Sequence, residues 1–332
     1  MAPPPSSFLR LVFLLWLALS LGCQSDPEPE YLLRASLWAN EEHTWYQAFE
    51  RFGEVLEIRS NGRLKLQVYP SEQLAKELES IRLIRAEVID MTVTASLLSN
   101  WIEIAAFCEL PYLLKDSADK QALLYGPLGE EIQAAILEEL GLRTIAVFER
   151  GPRHLTTNRP IRHPDDLEGL IVRVPSVPTF VTAWEALGAK PTPMAFSEVF
   201  TSLQQGTIEA QENPLDLILT AGFSEVQQYV NLTGHVMSWS YPVIGEPQFQ
   251  RLPPDLQQIL LEAAQEMQAY EHELFLKNEA LLRQQLEDKG MQFVEVDKAA
   301  FAERCEQAIF QGLQADNQAR YRAFLQSRKE TP

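Results

Sequence analysis

Residues 254–289 read PDLQQILLEAAQEMQAYEHELFLKNEALLRQQLEDK, a helical pattern with no glycine and no proline beyond its first position. Pro253-Pro254-Asp255 is a start signal, because proline at the first helical position lacks only an N–H that would go unpaired there, and Gly290 is a stop. At 1.5 Å per residue, such a helix reaches on the order of 50 Å. That exceeds one domain of a chain this size, so the helix must cross between two bodies or bend around them. Working outward from it, strand-like and helical patterns alternate. Residues 34–39, 63–69, 88–94, 142–148, 170–174 and 208–211 read as short strands, and residues 43–60 and 74–86 as amphipathic helices. This alternation predicts an α/β fold with mainly parallel sheets.

The N-terminus sets the compartment. Residues 11–21 are an almost unbroken apolar run after a single positive charge, Arg10. The run is too short for a permanent membrane span and ends in Gly22, so residues 1–22 read as a secretory signal peptide. Leu19-Ser20-Leu21-Gly22-Cys23 resembles a lipobox, although Ser20 and Leu21 stand where Leu and a small residue are usual. Cys23 is therefore the expected lipidation site, with ordinary cleavage nearby as the alternative. Residues 23–30, polar and proline-rich, read as a tether. About 300 residues remain, enough for two domain cores.

The formal charge is −18, and one more negative once Arg10 leaves with the signal. So acidic a chain repels nucleic acid and anionic lipid. An anionic ligand is not excluded, because screening confines fields to about 8–10 Å and a few local arginines can outweigh distant charge. Cys108 lies in an apolar run and Cys305 on a helical pattern; both are expected as buried free thiols.

No pattern for a catalytic nucleophile, a phosphate loop or a metal site is present: G-x-S-x-G, G-x-G-x-x-G, H-E-x-x-H and C-x-x-C are all missing, and the five histidines show no ligand spacing. The chemistry concentrates instead in residues 149–214. This stretch holds Gly151-Pro152-Arg153, Asp165-Asp166-Leu167-Glu168-Gly169-Leu170-Ile171-Val172-Arg173-Val174-Pro175, Pro193-Met194-Ala195-Phe196-Ser197-Glu198 and Gln211-Glu212-Asn213-Pro214. Arg173 sits inside an apolar strand between Val172 and Val174, where an unpaired guanidinium would be very costly. From the residues alone, its partner is either an internal carboxylate or a ligand.

These blocks, with Asn61-Gly62-Arg63, Tyr69-Pro70-Ser71-Glu72-Gln73-Leu74, Ile89-Asp90-Met91 and Leu110-Pro111-Tyr112-Leu113, resemble the DctP-type solute-binding subunits of TRAP (tripartite, ATP-independent periplasmic) transporters over residues 32–315. The resemblance implies a two-domain, periplasmic-binding-protein-like α/β fold with cross-over strands and a long domain-spanning helix. It places domain I at residues 31–150 and 239–278, and domain II at 151–238 and 279–332. It further implies a protein that converts nothing, carries no cofactor or metal, and delivers a small organic carboxylate to TRAP membrane subunits. By the same resemblance Arg173 makes a bidentate pair with the ligand carboxylate, Arg153 adds a contact, Asn213 donates its amide, and Phe196 packs along the ligand. A planar guanidinium fork, a fixed amide donor and an aromatic wall suit that task.

One departure bears on the ligand. Sialic-acid-binding members carry Asn and Glu where this chain has Trp38 and Ala95. Trp38 is thus expected either as an aromatic surface of the cleft or as a core residue. Two other functional readings stand beside transport: a ligand sensor for a membrane receptor kinase, and an exported hydrolase, for which no nucleophile constellation speaks.

Overall fold

The computed structural model describes residues 28–330; the expected signal peptide and Cys23 lie outside them. Among the described residues ten strands form: β1 (Tyr31–Ser36), β2 (Leu64–Tyr69), β3 (Met91–Thr94), β4 (Leu142–Thr144), β5 (Phe148–Thr157), β6 (Ile171–Val174), β7 (Lys190–Pro193), β8 (Ala210–Pro214), β9 (Tyr229–Gly245) and β10 (Gln292–Val294). Their order is β2-β1-β3-β9-β5-β8-β6-β7, with β4 and β10 also on β9. The flanks are parallel: β2, β1 and β3 on one side, β8, β6 and β7 on the other. The centre is an antiparallel ribbon of β5 and β9 that runs through both.

The expectation of mainly parallel sheets is therefore corrected to a mixed arrangement. The two ribbon strands carry the difference, and neither shows the alternation by which a half-buried strand is recognised. The second half of β9 is buried on every residue, and its 17 residues include Gly234 and Pro242. In β5 the pairing shifts between Arg150 and Arg153, at Gly151-Pro152. Proline has no N–H to give to the ladder, so an interruption falls there.

The helix Thr44–Arg59 follows its hydrophobic pattern: Trp45, Ala48, Phe49, Phe52, Val55 and Leu56 form its buried face. The His43 ring caps it by accepting from the Trp45 N–H at 3.1 Å. The long helix spans Pro254–Asp288, 35 residues, or about 50 Å. Leu256, Leu260, Ala263, Ala264 and Met267 pack with Leu33, Phe49 and Phe52, whereas Leu282 and Leu286 pack with Val199, Leu203 and Phe223. One helix thus belongs to two cores, as its length requires.

The C-terminal helices Lys298–Gly312 and Ala315–Glu330 complete the body. The last one bonds back to early parts of the chain: Asn317 to Glu103 at 2.8 Å, and Arg328 to Asp119 at 2.7 Å and to the Leu113 carbonyl at 3.0 Å. Cys108 and Cys305 are buried thiols without a disulfide, as expected.

Candidate functional site

Where the parallel flanks meet the central ribbon, a cavity of about 130 Å³ opens, and Trp38, Arg153, Arg173, Phe196 and Asn213 all line it. The five residues singled out in the sequence are therefore brought together, from segments as far apart as residues 38 and 213.

Arg173 stands on β6, in register with Thr192 of β7 and Gln211 of β8. It is 4% exposed. Its Nε and Nη2 both donate to one acceptor, the Met194 carbonyl, at 3.1 and 2.7 Å. Among the described residues no carboxylate forms an ion pair with it, which decides against the internal salt bridge left open by the sequence. Burial lowers its pKa to about 10, so it remains a cation near neutrality. The Phe196 ring lies 5.9 Å from its guanidinium carbon.

Arg153, on β5, is equally buried but differently engaged. Its Nε and Nη2 form a fork on the Glu212 carboxylate at 2.5 and 2.8 Å, and Nη2 also donates to the Glu212 carbonyl at 2.8 Å. His235 Nε2 lies 2.9 Å from the same carboxylate, and Thr233 Oγ1 lies 2.8 Å from His235 Nδ1. Burial would push the Glu212 carboxyl up, but Arg153 and the His235 hydrogen bond outweigh it and hold it down at about 2. Arg153 Nη1 lies 3.7 Å from Glu109, and both residues line the cavity. Asn213, next to Glu212 on β8, gives one amide N–H to Gln211 Oε1 at 2.6 Å and is otherwise turned to the cavity lining.

Trp38 is buried and also lines the cavity. It packs edge-on against Trp45 at 5.0 Å and against Phe196 at 5.2 Å while forming part of the cavity wall. Ala95 lies in the same wall. Two further contacts bring the walls together: Lys76 pairs with Glu198 at 2.8 Å, and Asn100 donates to the Ser176 carbonyl at 3.0 Å.

Several lining residues were not singled out from the sequence. Arg150 pairs with Glu109, which Ser96 also contacts, and lies 5.8 and 5.7 Å from the Trp38 and Trp45 rings. Glu72 and Glu77 stand in the wall that carries Ala95. Ser71 and Glu72 both have left-handed backbone, φ of 55° and 57°, a costly conformation for two successive non-glycine residues. Arg150 adjoins the Gly151-Pro152-Arg153 block and Glu72 lies within Tyr69-Pro70-Ser71-Glu72, but neither position distinguishes a cleft carboxylate or guanidinium from a surface one.

Comparison with known proteins agrees with this geometry. The model of the family described as bacterial extracellular solute-binding protein, family 7 (DctP), matches residues 35–313. A solute-binding protein of Roseobacter denitrificans is 47% identical over 280 residues, 84% of this chain and 86% of its own. The 2,3-diketo-L-gulonate-binding periplasmic protein YiaO of Escherichia coli is 32% identical, covering 82% and 83%. Among solved structures, a TRAP periplasmic solute-binding protein of Roseobacter denitrificans with bound L-galactonate superposes with a TM-score of 0.87 at 44% identity, covering 90% of this chain and 99% of that one. One from Polaromonas bound to D-erythronate gives 0.83 at 29%, covering 88% and 97%. The chain belongs to family 7 of the bacterial extracellular solute-binding proteins, the DctP-type binding subunits of TRAP transporters.

Proposed function

We propose that this protein captures a small sugar acid outside the cytoplasm and hands it, chemically unchanged, to the membrane subunits of a TRAP transporter. The observation that carries this reading is Arg173, a buried guanidinium that shares one backbone carbonyl between two of its nitrogens and enters no ion pair among the described residues. Its Nη1–Nη2 edge suits a carboxylate bidentately. The second N–H of Asn213 and Nη1 of Arg153 supply further donors, and Phe196 with Trp38 supplies an apolar wall. The relatives at hand bind hydroxylated carboxylates such as L-galactonate and D-erythronate, which supports a sugar acid.

In this reading the cleft lies between residues 31–150 with 239–278 on one side and 151–238 with 279–332 on the other, with β5, β9 and the long helix passing between them. The tether ends in a lipid on Cys23, holding the protein at the membrane; Cys23→Ser would then move it from the membrane fraction to the soluble one. Binding itself is tested by thermal-shift measurement of the mature protein with L-galactonate, D-galacturonate and D-erythronate. A ligand at 100 times its dissociation constant adds about 2.7 kcal/mol of stability. No shift with any sugar acid would sink the proposal.

A further inference from the structure

Four cationic side chains line the cleft, and three are already committed to protein carboxylates. Arg150 is paired with Glu109, Arg153 with Glu212, and Lys76 with Glu198. Arg173 alone is uncommitted among the described residues. Glu72 and Glu77 line the same cavity, near enough for their charges to act on Arg173, and neither enters an ion pair among the described residues. One oxygen of Glu72 is buried and has no hydrogen-bond partner in the protein.

From this arrangement, which rests on the sugar-acid reading above, we infer that the site, with its one uncommitted cation, takes one carboxylate on a molecule that also bears hydroxyl groups, and that it rejects dicarboxylates. The acid group goes to Arg173 and Asn213. The hydroxyl-bearing end goes to Glu72 and Glu77, whose oxygens accept the hydrogen bonds that hydroxyls donate. A second carboxylate at that end would lose its water and meet two carboxyl groups, with no cation left to compensate it. Burial holds Glu77 at about 8, so near neutrality it carries a proton; Glu72 still lines the same cavity as Arg173, and the count of uncommitted cations does not change. Family membership alone does not decide this, since a C4-dicarboxylate-binding periplasmic protein of Rhodobacter capsulatus is also a relative, 30% identical over 72% of this chain.

The test is calorimetric titration of the mature protein with three matched pairs of acids: galactonate and galactarate, erythronate and tartrate, butyrate and succinate. The monoacid should bind at least about a hundredfold more tightly than its diacid partner, as expected for an uncompensated buried charge. Glu72→Gln should narrow that gap about tenfold or more by removing a like charge. Glu77→Gln, read at pH 9 where the wild-type group is ionised, is the second variant should Glu72→Gln fail to fold. Diacid binding as tight as monoacid binding in the pair that binds, or a gap unmoved by either substitution, overturns the inference and leaves the sugar-acid reading intact. Preference for butyrate over both hydroxylated monoacids defeats the sugar-acid reading while the charge match stands. Binding by no acid overturns both.

Discussion

Arg153 and Arg173 are two guanidiniums of one cleft, with almost the same burial, yet their surroundings are opposite. Around Arg153, the antiparallel pairing of β5 with β8 sets Glu212 beside it, and His235 closes the other side of that carboxylate. Around Arg173, the strand neighbours are Thr192 and Gln211, and the acceptor it finds is a carbonyl. A buried cation needs either a counter-charge or an occasion to receive one. Arg153 has the first and acts as a rivet between strands. Arg173 has the second, which is why the carboxylate is placed there.

The contrast is most exposed to refutation at Arg153. Arg153→Met leaves Glu212 buried beside a single histidine, so the ligand-free protein should lose about 3–5 kcal/mol of stability, seen in chemical unfolding. Arg173→Ala should do the reverse. Binding of the sugar acid should weaken about 10²- to 10³-fold by calorimetry, while the ligand-free melting temperature stays close to wild type. Arg173→Lys keeps the charge but loses the planar fork, and should also weaken binding strongly. If Arg173→Ala melts early and binds normally, the roles of the two arginines are exchanged.

A buried carboxyl without a cationic partner among the described residues behaves differently from both arginines. Glu271, on the long helix, is fully buried; burial raises its carboxyl to about 8, while a bond from the Glu149 N–H only partly offsets this. Its folded value lies above the ordinary 4.5, so between these two values the folded protein holds a proton that the unfolded chain has released. Stability from this group is full below about pH 4.5 and falls as pH rises through 8. Glu271→Gln should therefore stabilise the protein at pH 9 by at least about 1 kcal/mol and flatten the fall between about pH 4.5 and 8. An unchanged pH profile would remove Glu271 from the account.

The smallest effect belongs to the mouth of the cleft. Lys76 and Glu198 pair at 2.8 Å, but both are about half exposed. Such pairs contribute little and are screened by salt. Lys76→Ala should weaken ligand binding by no more than about fivefold, and 0.5 M salt should abolish the difference. A larger loss would mean that closure depends on this pair.

Elements whose signals are local could be read along the chain. The long helix was legible because 35 residues pass without a breaker between a proline start and a glycine stop, and its length alone demanded two cores. Arg173 was legible because a charge between Val172 and Val174 is an anomaly that must have a purpose. Arg153, Asn213 and Phe196, through the resemblance of their blocks, and Trp38, through its departure from other members, were expected at one cleft, and all four line the cavity. Which charges meet depends on the folded arrangement. Glu212 reaches Arg153 from 59 residues away, and Glu109 reaches Arg150 from 41. Strand register and the packing of short helical turns set those pairings, and neither leaves a periodic trace in the chain. The strands β5 and β9 escaped the pattern for a related reason: largely buried on both faces, and with pairing that shifts near Pro152 and Gly234, they lack the alternation that marks a strand with one face in water. The distinction between a guanidinium that rivets the fold and one that awaits a ligand is a property of neighbours, and neighbours exist only once the chain has folded.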